Sequence, residues 1–292
     1  MSGRATAGQW LEGARPRTLP AALAPVLVGS GAAAAADGFR PGRALLALVV
    51  ALALQVGVNY ANDYSDGVRG TDADRVGPLR LVGSGTADPA SVKAAALGCF
   101  GLAALAGLAL ALLTTLWLVP LGGVMIAAAW GYTGGSSPYG YRGYGEVSVF
   151  VFFGLVAVLG TTYVQVERLT GTALLGGVAC GALACAILVA NNLRDRPSDA
   201  DSGKRTLAVV LGDRRTRLLY PALVAAAFVV PVLLVPVTPW ALLALLAGPL
   251  ALGPVGRVRR GEQGRDLVPV LRDTGKLQLA YAVLLTAGLA LA

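Results

Sequence analysis

Residues 43–66 read RALLALVVALALQVGVNYANDYSD, an apolar run of about twenty residues that ends in a cluster of amides and carboxylates. A helix of twenty residues rises about 30 Å, which is the thickness of the hydrocarbon core of a bilayer. Since no charged residue lies between Arg43 and Asp63, the stretch predicts a membrane-spanning helix that brings polar side chains to one membrane surface.

The composition extends this prediction to the whole chain. Of its 292 residues, 55% are hydrophobic and 14% are charged, and the mean hydropathy is +0.66, whereas soluble domains carry about 25% charged residues. We therefore predict an all-α polytopic membrane protein that forms a single domain over residues 1–292. The nine predicted spans are 18–36, 43–62, 92–113, 115–132, 147–165, 171–193, 217–236, 238–256 and 275–292.

The loops between these spans predict the orientation of the chain. Long polar loops alternate with short ones, and all but three of the 24 Lys and Arg lie on the side of the long loops. The exceptions are Arg40, Arg43 and Arg168. By the positive-inside rule the long loops and the N-terminus are cytoplasmic, and nine spans place Ala292 outside. Because topology accounts for the net charge of +8, we expect no nucleic-acid partner.

The residue types exclude several kinds of chemistry. The chain has no histidine, which excludes His-dependent triads and histidine zinc sites. Cys99, Cys180 and Cys185 lie in apolar runs without the spacing of metal or redox motifs. Any metal must therefore be bound by oxygen.

Two clusters of such oxygens are predicted. If the second span continues as a helix to Asp66, then Asn59 and Asp63 lie one turn apart, and so do Asn62 and Asp66. Carboxylates at this spacing repel one another, and a helix C-terminus also disfavours anions. A cluster that opposes both effects predicts a bound cation.

The sixth span ends in a similar cluster. Asn191, Asp195 and Asp199 recur every four residues, although Pro197 is expected to end the regular helix before Asp199. Mg²⁺ fits both clusters best, because it binds hard oxygens and commonly uses one or two carboxylates together with substrate phosphates. Ca²⁺ fits less well, because the sequence has no glycine-punctuated loop with alternating acids and a terminal glutamate. Basic residues beside both clusters indicate a polyanion such as diphosphate.

These motifs carry a family resemblance. The sequences NDYSD at 62–66 and DRPSD at 195–199, the latter followed by GKRT at 203–206, resemble the two signature motifs of the UbiA superfamily of intramembrane prenyltransferases. Within that superfamily, four stretches are similar to the menaquinone-pathway members, whose acceptor is 1,4-dihydroxy-2-naphthoate. The four stretches are 10–20, 62–80, 132–146 and 191–195.

The resemblance implies an all-helical fold with a central cavity that opens to the cytoplasm and, laterally, to the bilayer. It implies Mg²⁺-dependent transfer of a polyprenyl group from polyprenyl diphosphate to 1,4-dihydroxy-2-naphthoate with decarboxylation. The expected location is the bacterial cell membrane, and the expected partners are the two substrates and the lipid bilayer. Prenyl chain length and oligomeric state stay open.

The resemblance also assigns expected roles to residues of both loops. The expected Mg²⁺ ligands are Asp63, Asp66, Asp72, Asp195 and Asp199. The expected catalytic residues are Asn62, Asp66, Arg142, Asp195 and Lys204. The expected substrate-binding residues are Arg17, Asn59, Arg69, Arg75, Arg80, Tyr132, Tyr144, Asn191, Asn192, Arg194 and Arg205. Five tyrosines are candidates to face an allylic cation: Tyr60, Tyr132, Tyr139, Tyr141 and Tyr144.

Three alternatives remain at this point. Another UbiA-type enzyme could use a different aromatic acceptor, such as 4-hydroxybenzoate. A secondary transporter could place polar residues at span ends, although its ionisable residues would more typically lie at mid-span. An alcohol phosphotransferase is weakly suggested by Asp66-Gly67, but the rest of that aspartate pattern is missing.

Overall fold

The computed structural model describes residues 5–70 and 79–292, and the described residues form helices joined by turns, with none of them in a strand. The principal helices are α1 (Ala7–Gly13), α2 (Pro20–Ala34), α3 (Pro41–Arg69), α4 (Pro89–Leu113), α5 (Leu118–Gly131), α6 (Gly145–Val149), α7 (Ala157–Val166), α8 (Gly171–Asp201), α9 (Leu207–Leu233), α10 (Gly248–Arg259) and α11 (Val268–Ala290). A π-helix (Phe150–Val156) joins α6 to α7, and a 3₁₀ helix (Pro239–Ala247) precedes α10.

Each of the nine predicted spans falls on a helical segment, and within the described ranges six helices are long and apolar enough to cross a bilayer. These six are Pro41–Arg69, Pro89–Leu113, Gly145–Val166, Gly171–Asp201, Leu207–Leu233 and Pro239–Arg259. Helices α2 and α5 are apolar but shorter. The all-helical prediction is confirmed.

Helix α3 carries the first acidic cluster on its last turns. It continues past Asp66 and ends at Gly70, whose φ of 71° is the left-handed conformation that suits glycine at a helix C-terminus. Helix α8 likewise runs through Pro197 to Asp201, so the prediction that this proline ends the helix is wrong. Loss of one backbone donor is tolerated there, because proline's fixed φ is itself compatible with helix.

Helix α8 is the centre of the bundle. In its most apolar stretch 72% of the residues are buried, against 28–39% in the other five long helices. Small residues allow this close packing: a Cβ at Gly154 would lie 2.5 Å from Gly181 Cα and 2.6 Å from Gly177 O. The π-helix that carries Gly154 can therefore lie directly against α8.

A cavity of about 330 Å³ lies beside this core. Helices α2, α3, α4 and α5 and the Gly145–Val166 segment line it, and most of the lining side chains are apolar. Its polar lining includes Gln55, Asn59 and Asn62 on α3, together with Tyr132 and Tyr139 beyond α5. The volume lies in the range of small-molecule sites in proteins.

Arg43 lies near the start of α3, at the opposite end of this helix from Asp66, and contacts the ends of two other helices. Its guanidinium donates to Leu113 O at the end of α4, to Val164 O near the end of α7, and to Glu167 Oε1 at 2.8 Å. One side chain thus satisfies carbonyl groups at two helix C-termini.

The ion pair with Arg43 predicts a small dependence of stability on pH. The hydrogen bond from Arg43 lowers the pKa of Glu167 below its ordinary value. The pair therefore stabilises the fold above the unfolded-state pKa of about 4.3, and its contribution is lost as pH falls through the lower folded-state pKa. We expect acidification from pH 6 to pH 3.5 to lower the melting temperature by about 1 °C less in Glu167→Gln than in the parent. If the melting temperatures of the parent and Glu167→Gln, measured in detergent, fall by the same amount over this pH range, the prediction is wrong.

Candidate active site

Asp66 lies at the centre of a cluster formed by three separate parts of the chain. Its side chain is 3% exposed. Oδ1 accepts a short hydrogen bond from the Tyr141 hydroxyl and lies 3.7 Å from Lys204 Nζ, while Oδ2 lies 3.4 Å from the Arg80 guanidinium. A buried carboxylate with two cations and a phenol around it is held in one orientation.

Cations gather on the Tyr141 ring as well. Lys204 Nζ lies 4.6 Å from the ring centroid, and the Arg69 guanidinium lies 5.7 Å from it. Arg69 also donates to the carbonyl oxygens of Thr133 and Gly135. The 132–142 loop is thereby fastened to the end of α3, and positive charge surrounds Asp66.

Asp63 faces a different neighbour from Asp66, although both belong to the same motif. It is 1% exposed, and its two oxygens accept the backbone N–H groups of Leu81 at 2.7 Å and Val82 at 3.0 Å. Asp63 thus anchors the segment that carries Arg80, the residue that reaches Asp66. The contacts of Asp63 are those of a residue that positions the loop.

The second acidic cluster is a buried ion pair. Arg194 donates to both oxygens of Asp195, each at 2.6 Å, and also to Asn191 Oδ1 at 2.8 Å. The side chains of Arg194 and Asp195 are each 5% exposed. This bidentate geometry fixes the orientation of the Asp195 side chain near the C-terminal end of α8.

Lys204 joins the two clusters. Its backbone N–H donates to Asp199 O at 2.8 Å, while its ammonium reaches Asp66. The next residue, Arg205, donates its backbone N–H to Tyr141 O at 2.9 Å. The turn after α8 therefore connects the end of α8 to the end of α3 and to the Tyr141 loop.

Two asparagines extend the site into the cavity. Asn62 Oδ1 accepts a hydrogen bond from Thr133 Oγ1 at 2.6 Å, and Asn59 donates to Ala14 O and Thr18 Oγ1. Both line the cavity, as do Tyr132 and Tyr139, whose rings meet edge to face at 5.5 Å. Burial raises the pKa of Tyr139, so its phenol stays protonated and donates to Ala128 O.

Several predicted site residues are exposed or directed away from the cavity. Arg17, Arg142, Tyr144 and the side chain of Arg205 are exposed, and none of them lines the cavity. Asn192 is buried and donates to Glu146 Oε1 at 2.9 Å, which directs it into the bundle. Asp72 and Arg75 fall outside the described residues.

The donors present fit Mg²⁺ on chemical grounds. The candidates are carboxylate and amide oxygens, the hard ligands that Mg²⁺ prefers. Within residues 5–70 and 79–292 no three Asp, Glu, His or Cys side chains lie close enough to form a metal site by themselves. Mg²⁺ usually needs one or two carboxylates when a substrate supplies phosphate oxygens, and Asp66 and Asp195 can supply these.

Nothing in the sequence distinguishes Tyr141 from the other four candidate tyrosines. The structure brings its hydroxyl to Asp66 from 75 residues away, a relation that no local spacing reveals. A hydrogen bond to a charged group contributes about 1.5–3 kcal/mol. We therefore expect Tyr141→Phe to lower kcat/KM for the reaction at this site by about tenfold or more. Tyr144→Phe is the matched control, because Tyr144 is 60% exposed, and equal activity of both variants would contradict a role for Tyr141.

Comparison with known proteins finds similar sequences and structures. The UbiA prenyltransferase family matches residues 22–270. The chain is 58% identical to "1,4-dihydroxy-2-naphthoate octaprenyltransferase" of Mycobacterium tuberculosis, covering 98% of each chain. It is 55% identical to the protein of the same name from Mycobacterium leprae, covering 99% of this chain and 98% of that one.

The fold is shared with solved structures. A UbiA homologue from Archaeoglobus fulgidus bound to DMAPP and Mg²⁺ superposes with a TM-score of 0.61 at 15% identity, covering 97% of this chain and all of that one. Together, the family match over most of the chain, the identities to the two mycobacterial relatives and the helical architecture show that this integral membrane protein belongs to the UbiA prenyltransferase family.

Proposed function

We propose that the chain transfers a polyprenyl group from polyprenyl diphosphate to 1,4-dihydroxy-2-naphthoate with loss of carbon dioxide, which yields demethylmenaquinol. The two mycobacterial relatives carry the name of this activity. The structural observation that supports it most is that Asp66, at the end of α3, is buried beside Arg80 and Lys204. The same helix also lines the apolar cavity.

The donor's diphosphate would lie among Asp66, Arg80 and Lys204. Asp66 and Asp195, with Asp199 and Asn62 nearby in the sequence motifs, are the residues that would hold Mg²⁺. When bound there, the ion would neutralise phosphate oxygens and so lower the free energy of the departing diphosphate. Lys204 and Arg80 add fixed positive charge at the same place, and their side chains are 9% and 10% exposed.

The prenyl chain would extend from that site into the cavity. Its apolar lining, which includes Val50, Met125 and Phe152, suits a hydrocarbon, since each buried methylene contributes about 0.8 kcal/mol. The same lining keeps water from an allylic cation, and Tyr132 and Tyr139 present aromatic rings to it.

The reaction is balanced without a base. The bond between the donor's first carbon and the diphosphate oxygen breaks, and both electrons leave with the diphosphate. The naphthoate carbon that bears the carboxylate forms the new carbon–carbon bond, and carbon dioxide leaves from that carbon. Its bonding pair restores the aromatic ring, so no proton is removed from the ring. This agrees with a chain that contains no histidine.

The proposed topology follows from the charged loops. Nine spans, with the N-terminus and both acidic loops in the cytoplasm and Ala292 outside, would leave the diphosphate site facing the cytoplasm of a bacterial cell membrane. The helices that coincide with the predicted spans support this count, and the distribution of Lys and Arg supports the orientation.

Product analysis tests the proposal directly. Purified protein in lipid nanodiscs would be incubated with a polyprenyl diphosphate and either 1,4-dihydroxy-2-naphthoate or 4-hydroxybenzoate, with Mg²⁺ or with EDTA. We expect a prenylated naphthoquinol, one carbon dioxide per product, and loss of turnover in EDTA. Preference for 4-hydroxybenzoate, or a product that keeps its carboxylate, would overturn the proposal.

A further inference from the structure

Gln55, a residue of the cavity lining, carries a buried side-chain oxygen without a partner among the described residues. It lies on α3, lines the cavity and is 6% exposed. Its Nε2 donates to Thr18 Oγ1 at 3.0 Å and approaches Asn59 Oδ1 at 3.5 Å, while its Oε1 has no hydrogen-bond partner among the described residues. A buried acceptor without a donor is costly, so a group that supplies the donor would bind there favourably.

The surrounding bonds determine which way the amide points. Thr18 donates its hydroxyl hydrogen to Arg15 O at 2.9 Å and therefore accepts from Gln55. Asn59 donates its Nδ2 to Ala14 O and Thr18, which leaves its Oδ1 facing Gln55. Rotating the Gln55 amide by 180° would place its oxygen against two acceptors. The free oxygen thus belongs on the side away from Thr18.

Gln55 lies at the deep end of a polar stripe on α3. Asp66, Asn62, Asn59 and Gln55 follow one another at spacings of four, three and four residues, which keeps them on one helix face. The rise from Asp66 to Gln55 is about 16 Å. That length accommodates a diphosphate at Asp66 and a bicyclic aromatic ring below it.

We propose that Gln55 is an acceptor-binding residue whose Oε1 accepts a hydrogen bond from a phenolic hydroxyl of the aromatic substrate. The inference rests on the proposed function and names a residue for it. The prenyl chain has no hydrogen-bond donor, whereas the dihydroxylated ring has two. A lone water is a poor occupant, since buried waters usually have two to four polar partners, and apolar side chains such as Leu54 and Val58 also line this part of the cavity.

The bond would also favour the reaction. As the ring attacks the allylic cation it becomes positively charged, and its hydroxyl becomes a stronger hydrogen-bond donor. The interaction with Gln55 is then stronger in the transition state than with the bound substrate, which is the condition for raising kcat.

The test compares Gln55→Leu with Gln278→Leu. Gln278 is likewise buried, and it donates to Cys180 O at 3.4 Å, but it does not line the cavity. Each variant would be assayed with 1,4-dihydroxy-2-naphthoate and with the two monohydroxy naphthoates that each lack one hydroxyl. We expect the parent and Gln278→Leu to prefer the dihydroxy acceptor over one of these analogues by about tenfold or more.

In Gln55→Leu we expect the ratio of kcat/KM for the dihydroxy acceptor to kcat/KM for this analogue to fall towards one. The acceptor KM should rise about tenfold, while the donor KM changes less than about twofold. Unchanged discrimination in a Gln55→Leu protein with a parental melting temperature would overturn the inference. So would equal losses with every acceptor in both variants, because that is the signature of a structural role. Gln55→Met, which keeps the side-chain length, replaces Gln55→Leu if the latter does not fold.

A binding measurement separates this inference from the proposed function. If the parent forms no prenylated product from any naphthoate, the proposed function fails. Equilibrium dialysis of 1,4-dihydroxy-2-naphthoate then decides on Gln55: about tenfold weaker binding to Gln55→Leu than to Gln278→Leu supports the inference, and equal binding overturns it.

Discussion

Replacing Asp66 with asparagine is expected to reduce prenyl transfer by about two to three orders of magnitude and to raise the Mg²⁺ concentration needed for half-maximal activity. The variant keeps the shape of the side chain but removes the charge that Lys204, Arg80 and Tyr141 surround. Without that charge Lys204 and Arg80 lose their counterion, and a metal bound there would lose a carboxylate ligand. Initial rates in nanodiscs at varied Mg²⁺ measure both effects.

Asp63→Asn is the matched control for Asp66→Asn, because it makes the same change three residues earlier in the same helix. Asp63 accepts hydrogen bonds from two backbone N–H groups. In Asp63→Asn an NH₂ group replaces one of the accepting oxygens, so one of these bonds is lost and two N–H donors face each other. We expect a loss of roughly 1.5–3 kcal/mol of stability, with an unchanged Mg²⁺ requirement in the protein that remains folded. If the two variants show the same shift in Mg²⁺ requirement, the distinction between these aspartates is wrong.

Replacing Gly160 with leucine is expected to make the enzyme selective for short donors. Gly160 lines the cavity, and a Cβ added there meets no atom within 4 Å. The leucine side chain therefore enters space that the prenyl chain would occupy. We expect the steric conflict to weaken the binding of a long donor by about 1–3 kcal/mol, the usual cost of overpacking. We expect turnover with a long polyprenyl diphosphate to fall by about tenfold or more, and turnover with dimethylallyl diphosphate to fall less than about threefold.

The control for this variant is Gly101→Leu. Gly101 on α4 is also open around its Cβ, but it is exposed and outside the cavity. Both substitutions favour helix by up to about 1 kcal/mol, so a loss confined to Gly160→Leu cannot be attributed to unfolding. Equal loss with long and short donors would show that the prenyl chain does not lie along this wall.

The polar face of α3 could be predicted from local spacing. Apolar composition over 43–62 requires a helix in lipid, and once the segment is helical, residues three or four apart must share a face. The same reasoning extends one turn back to Gln55, which would have been found by continuing the spacing below Asn59. At Pro197 helical packing overrides the expected break, and α8 continues to Asp201.

The partners of the polar side chains could not be predicted in the same way. Asp63 and Asp66 are the same residue type in one motif, and a rotation of about 60° between them on the helix separates their surroundings. One meets the backbone at Leu81 and Val82, while the other meets Lys204, Arg80 and Tyr141. The two adjacent asparagines also differ in their partners. Asn191 accepts a hydrogen bond from Arg194, whereas Asn192 donates one to Glu146.

The sequence by itself determined the class of fold, the positions of the helices along the chain and the two clusters of carboxylates and amides. These follow from hydropathy and periodicity, which are properties of neighbouring residues. Tertiary structure alone decided that Tyr141 and Lys204 meet Asp66, that Asp63 anchors the Arg80 segment, and that Gln55 keeps a buried oxygen without a partner among the described residues. These relations join residues far apart in the chain, so they depend on how the helices pack and on which hydrogen bonds the packing leaves unmade.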